Sequence, residues 1–416
     1  MRDAKYIFTR REFMQGTLIA TLGASLPAFL TDTVSASAAR GVIPGFKDDR
    51  ILVVVQLGGG NDGLNTIVPH GNDDYFKARK NIALDKKTLL RIDDNVAMNG
   101  EMSALKDLYD SGGLGIVNGV GYPNPNRSHF RSMEIWQTAV DSNRYSREGW
   151  VGRYFDNCCS GSDPVAGVNV GSELPQAFLG KKGVGVSFTE ASRFAWFDGN
   201  KGALRPSLDT INMVSHKHDS EGETIDFLRH TAANAVISSD RVIKAAATKR
   251  DPVTYPGGRL GTQLKSIATL IAGGLPTRIY YTSISGFDTH ANQLNGHGRL
   301  LGEFSGALTA FLADLKKIGA EDRVMVVAFS EFGRRVTENA SRGTDHGTAG
   351  PMFLAGAGIK PGVHGAYPSL TDLDEGDLKH TVDFRGVYSE VLSKWFATDP
   401  ALALGKKFDF PGVISL

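Results

Sequence analysis

Ile51-Leu52-Val53-Val54-Val55-Gln56-Leu57 is an almost unbroken apolar run that ends abruptly at Gly58-Gly59-Gly60-Asn61-Asp62-Gly63. A strand wetted on one face alternates apolar and polar residues. A continuous β-branched run instead suits a strand covered on both faces, as in a parallel sheet. Shorter runs of the same kind occupy 115–120, 278–282, 324–329 and 351–355. Helical periodicity lies between them. Leu301, Phe304, Leu308, Phe311, Leu312 and Leu315 share one face of 300–318, and Val387, Val391, Leu392 and Trp395 form a stripe within 384–396. Residues 224–247 and 260–275 are further helical candidates. Strands alternating with helices predict an α/β layer fold around a mainly parallel sheet.

In such sheets ligands bind beyond the carboxyl ends of the strands. Four polar clusters fall there or at helix starts: Asn61-Asp62, Arg127-Ser128-His129 with Arg131, Asp288-Thr289-His290, and Ser330-Glu331 with Arg334 and the later Asp345-His346. Each alone has an ordinary explanation, such as a turn for Asn-Asp-Gly or an N-cap for Ser128. Together they supply the oxygen and imidazole donors that hold Zn, Mn, Mg or Ca. Ser128 at a helix start would be activated by backbone N–H groups and a neighbouring ion, and Arg127 and Arg131 could clamp an oxyanion through paired hydrogen bonds.

The first forty residues speak of location. Thr9-Arg10-Arg11-Glu12-Phe13-Met14-Gln15 resembles a twin-arginine translocation motif, followed by an uncharged segment from Gly16 to Leu30 and then Ala36-Ser37-Ala38-Ala39. That is the order of an export signal that is later removed, and its apolar part is too short to span a bilayer. The expected layout is a signal at 1–38, a linker at 39–48 and one α/β domain at 49–416, with a possible cap within 140–260. The expected location is the periplasm or outside the cell, reached through the twin-arginine translocase. A net charge of +1 leaves no electrostatic footprint for nucleic acid, and the mature chain has no run long enough for a stable membrane span. The two cysteines, Cys158 and Cys159, are adjacent and are expected to be buried or unreactive rather than to staple the fold.

Gly-Gly-Asn-Asp-Gly-Leu-Asn, Tyr-Pro-Asn-Pro-Asn-Arg-Ser-His-Phe-Arg-Ser, Phe-Asp-Thr-His, Ser-Glu-Phe-Gly-Arg and Thr-Asp-His-Gly-Thr resemble the markers of domain of unknown function 1501. That bacterial family is typically exported by the twin-arginine route and is related to the alkaline phosphatase and sulfatase superfamily. The resemblance implies an alkaline phosphatase-like three-layer sandwich and one or two divalent ions. It implies Asp62 or Asn61 as the carboxylate position after the first strand and Ser128 as nucleophile. Asp288 with His290 or His297 would follow, then Glu331 where the superfamily has an Asp-His pair, and His346 as the last ligand. An alternative alignment puts Asp345-His346 on that pair and leaves the last position to His364. The first is preferred, because Glu331 directly follows one strand candidate and His346 precedes another. Ser128-His129-Phe130-Arg131 lacks the proline of a formylglycine-forming sulfatase sequence, which tilts the ester toward phosphate.

The function so implied is a metal-dependent hydrolase of a phosphate or sulfate ester, on a small molecule or linked to a polymer. Ser128 would attack, Asn61, Asp62, Asp288, His290, Glu331 and His346 would hold metal, and Arg127, Arg131 or Arg334 would hold the ester's oxygens. His129 would protonate the leaving group. The alternative is a non-catalytic envelope binding or scaffold protein that keeps the fold with a degenerate metal site.

Overall fold

The computed structural model describes residues 48–158, 163–181, 185–191, 194 and 238–416. The expected signal, most of the linker and most of the helix at 224–247 lie outside them. Val42–Glu190 with Thr248–Leu416 forms one compact unit. The described part of a second unit is Ala191, Phe194 and residues 238–247, of which 238–246 are helical.

The larger unit is built on a nine-stranded sheet. Its strands are β1 (Ile51–Gly58), β2 (Leu114–Gly121), β3 (Gly167–Val170), β4 (Val186–Phe188), β5 (Ile279–Ser285), β6 (Val324–Phe329), β7 (Gly350–Gly356), β8 (Gly362–His364) and β9 (Val382–Asp383). Across the sheet they lie in the order β8-β2-β7-β6-β1-β5-β3-β4, with β9 also on β2. β1 is central, pairing in parallel with β5 (Val54 with Tyr281) and β6 (Val54 with Val327). β7 runs antiparallel to both its neighbours, while every other pairing is parallel. The sheet is therefore mixed but mainly parallel, as the unbroken apolar runs predict.

Both faces are covered. Leu52, Val54, Val117, Val327, Met352 and Leu354 share a core cluster with residues of α2 (His129–Thr138), α3 (Trp150–Cys158) and α6 (Phe384–Glu390). Trp136 of α2 stacks on Phe329 and Phe384 there, with centroids 4.8 and 4.2 Å away. Phe353, between Met352 and Leu354, must face the other way. It meets Phe304 of α5 (Gln293–Lys317) at 5.5 Å. α5 packs in turn on α4 (Arg259–Ala272). This gives three layers.

Four details depart from the sequence reading. The helix expected at 300–318 starts at Gln293. The helix expected at 384–396 is α-helical only to Glu390 and continues as a π-helical turn, Val391–Trp395. β3 and β4 come from the irregular 140–260 region, because strands of four and three residues are too short to show a period. Cys158 is disulfide-bonded, where unlinked thiols were expected, and Cys159 lies outside the described residues. Among the described residues no helix is long and apolar enough to cross a membrane.

Candidate metal centre

Parallel strands deliver their following loops to one edge of the sheet. β1, β2, β5 and β6 end there, and β7, running the other way, begins there. His346 therefore arrives just before β7 while Asp288 and Glu331 arrive just after β5 and β6. The turn after β1 passes through Gly59 and Gly60 at φ +120° and +76°, a region side chains disfavour. That turn lets Gly59 N–H reach Glu331 Oε1 at 2.8 Å.

Three side chains converge at this edge. His129, Asp288 and His346 offer ligand atoms that all lie within 4.8 Å of one another. His346 Nε2 is 3.1 Å from Asp288 Oδ1, and His129 Nε2 is 3.4 Å from it. His290 Nε2 is 3.0 Å from both Asp288 Oδ1 and His346 Nε2. Donors around a tetrahedral ion with bonds of 2.0–2.1 Å sit about 3.3 Å apart, so these spacings fit one small ion. His129 Nε2 is buried without a hydrogen-bond partner, as expected of a ring nitrogen reserved for a ligand.

The far side of each ring is held. His129 Nδ1 faces Glu331 Oε1 at 2.8 Å, His346 Nδ1 faces Arg127 O at 2.7 Å, and His290 Nδ1 faces Asp345 Oδ1 at 3.4 Å. Such outer partners fix the tautomer and aim of metal-binding imidazoles. Phe332 packs on the rings of His129 and His346, with centroids 4.9 and 4.8 Å away.

Electrostatics keep the carboxylate charged. Partial burial works to raise the Asp288 pKa, but hydrogen bonds from Arg334 and His346 outweigh it and hold the group at about 2. The Glu331 hydrogen bond raises the His129 pKa above its ordinary value.

Several expected site residues are placed elsewhere, and the reasons are visible. Asp62 is fully buried in an ion pair with Arg79 at 2.6 Å, accepts from Gln293, and caps the short 3-10 helix Gly63–Asn65. Asn61 Oδ1 accepts from Thr66 at 3.0 Å and meets His297 Nε2 at 2.9 Å. Both are thus committed to the core rather than to the imidazole cluster. Glu331 stands behind His129 instead of beside Asp288. Arg127 pairs with Asp377 at 2.6 Å and Glu375 at 3.3 Å, and Arg131 with Glu134 at 2.6 Å under the Tyr145 ring. The buried Arg334 guanidinium donates to Gly59, Gly60, Phe287 and Thr344 carbonyls as well as to Asp288, tying three loops together. None of the three is a spare clamp. His129, assigned to proton transfer from sequence, sits among the candidate donors with Asp288 and His346 instead. His364 is not among them; its Nε2 meets Lys360 O at 2.8 Å.

Ser128 is exposed and is the N-cap of α2, with no side-chain capping bond. It lies between Arg127, whose carbonyl holds His346, and His129. Asp345 and Asn339, which steady His290, were missed as supporting groups because nothing in sequence spacing marks a partner for an imidazole's far nitrogen.

An α/β domain with an imidazole and carboxylate cluster at the carboxyl ends of a mainly parallel sheet is the class that this geometry defines. Residues 269–389 match the family model described as "Protein of unknown function (DUF1501)", the family that the motifs resemble. A search among curated proteins gives no match. Among solved structures the chain is similar to a protein in the alkaline phosphatase superfamily from Vibrio parahaemolyticus, at 9% identity over 94% of this chain and 81% of that one, with a TM-score of 0.38. It is also similar to the lipoteichoic acid synthase LtaP from Listeria monocytogenes, at 12% identity, 84% and 73% coverage and a TM-score of 0.34. A third is alkaline phosphatase from the Antarctic bacterium TAB5, at 10% identity, 76% and 93% coverage and a TM-score of 0.31. At these scores none of them lends this chain an activity.

Proposed function

We propose that this chain is an exported, metal-dependent hydrolase of a phosphate or sulfate ester, with Ser128 as its nucleophile. One observation carries the reading. Imidazoles held from behind face a single carboxylate oxygen, and one of them has a buried ring nitrogen with no partner. His129, Asp288 and His346 would hold one divalent ion, with His290 completing the set. The imidazole-rich donors favour zinc over manganese, calcium or magnesium. When bound, the ion supplies Lewis-acid polarisation of an ester oxygen.

The chain's own groups do the rest. The Ser128 hydroxyl stands free at a helix start, where backbone N–H groups favour developing negative charge. Its oxygen would bond to phosphorus or sulfur as the ester oxygen leaves with the alcohol, and water would then release the acid and restore the serine. Arg334 and Glu331 act through Asp288 and His129, as positioning residues. The twin-arginine-like start supports export to the periplasm with the site already folded.

The test is the metal content of protein purified from the periplasm, beside His346→Ala and Asp288→Ala, together with turnover of p-nitrophenyl phosphate and sulfate. About one equivalent in wild type, lost in both variants, and turnover lost in Ser128→Ala are expected. Wild-type turnover in Ser128→Ala would remove the nucleophile assignment.

A second reading is a metal-binding envelope protein without catalysis. The commitment of Arg127, Arg131 and Arg334 to carboxylates and carbonyls favours it, since a clamp for the ester's oxygens would have to come from other groups. Full metal occupancy with no turnover on either ester would select it.

A further inference from the structure

A cavity of about 280 Å³ is lined by segments that lead toward the imidazole cluster. Two of its walls run directly into cluster residues: Asn124 and Pro125 lead to Ser128 and His129, and Thr348 follows His346. Another wall is the hairpin in which Leu373–Asp374 pairs with Asp377–Leu378. That hairpin is pinned to the cluster twice. Arg127, whose carbonyl holds His346, pairs with Asp377, and Thr348 Oγ1 donates to Leu378 O.

The lining is of two kinds. Tyr122, Pro125 and Leu378 contribute ring and aliphatic surface. Asn124, Asp374 and His380 contribute an amide, a carboxylate and an imidazole. Among the described residues none of these three side chains makes a hydrogen bond, whereas the ammonium of Lys379, also part of the lining, is paired with Asp372. An amide, a carboxylate and an imidazole offer donors and acceptors in the mixture that hydroxyl groups need. Asp374, the carboxylate of the lining, opposes a second anionic group on a ligand, since the Lys379 charge is already paired with Asp372. The apolar patches are interrupted by these polar groups, which disfavours an alkyl chain.

We infer that this cavity is the subsite for the alcohol half of the substrate, and that this half is a neutral, polyhydroxylated group of monosaccharide size. The inference rests on the hydrolase reading only in calling the ligand an alcohol half. Recognition of the hydroxyls needs no turnover.

The test is calorimetric and saturation-transfer titration of the full chain, metal-replete and chelator-treated. The probes are methyl α-D-glucopyranoside, methyl β-D-galactopyranoside and N-acetylglucosamine, with 1-hexanol as the apolar comparator. At least one sugar is expected to bind. Asp374→Ala and His380→Ala should each weaken it about fivefold, the worth of one hydrogen bond, while melting temperature and metal content stay at wild type. Sugar binding in a protein that takes up no metal would uphold the subsite and sink the hydrolase reading alone. Failure of all three sugars, an affinity unmoved in both variants, or hexanol binding as tightly as the best sugar would overturn the subsite.

Discussion

His129 Nδ1 lies 2.8 Å from Glu331 Oε1, joining the first turn of α2 to the residue two places beyond the end of β6. The same oxygen accepts from Gly59 N–H, so three strand-end loops meet at one carboxylate. Glu331→Gln keeps the shape but gives up the charge. It should lower zinc affinity by about tenfold or more, the usual worth of an outer partner, while secondary structure is retained. Calorimetric titration with zinc checks this; an unchanged affinity would mean that the contact does not aim the ring.

The Arg79–Asp62 pair separates core from site. Both side chains are fully buried, so Arg79→Met leaves a carboxylate without its partner and should cost about 3–5 kcal/mol in chemical denaturation. Metal stoichiometry should stay at wild type in both Arg79→Met and Asp62→Asn. Loss of metal in a folded Asp62→Asn protein would return Asp62 to the ligand set.

His297 gives stability a pH signature. Burial depresses its pKa to about 4, so the folded chain keeps it neutral where the unfolded chain, near 6.5, takes up a proton. Between about pH 6.5 and 4 the unfolded state binds the extra proton. Stability should therefore fall as pH drops through that window, by on the order of 3 kcal/mol for this one group. Urea midpoints measured across it for wild type and His297→Gln should converge toward low pH. Parallel curves would refute the assignment.

Gly60 tests how closely the first turn is fitted to the cluster. Its φ is +76°, and a Cβ there would collide with the Phe332 ring, which packs on His129 and His346. Gly60→Ala should destabilise by about 1–3 kcal/mol through strain and overpacking. It should also weaken metal binding, because the displaced ring presses on two of the donors. A variant with wild-type melting temperature and metal affinity would show that the turn has slack.

The sheet was legible because buried strands must be apolar throughout. β1, β2, β5, β6 and β7 all announce themselves as runs, and α5 does so by its stripe. β3 and β4 did not, since strands so short carry no pattern. At the site, Asp288, His290 and His346 could be picked out by residue type and by position at a strand end. Asp62 has the same credentials, yet Arg79, seventeen residues on in an unremarkable segment, takes its charge. His129 and Glu331 were both named, but their roles depend on which ring nitrogen faces which oxygen. No spacing in one dimension encodes that.

The position of β1 at the centre of the sheet has a consequence for synthesis. Leu52 pairs with Ile279 and Met325, so β1 finds both its neighbours only after the chain has been translated through β5 and β6. Contacts this distant in sequence make folding slow and leave the nascent apolar segment without cover for much of that time. Until then it is a target for holding chaperones. Any stall or truncation before residue 329 leaves an unpaired edge at the heart of the molecule, so partial products should be lost to aggregation or proteolysis rather than survive as a smaller folded domain.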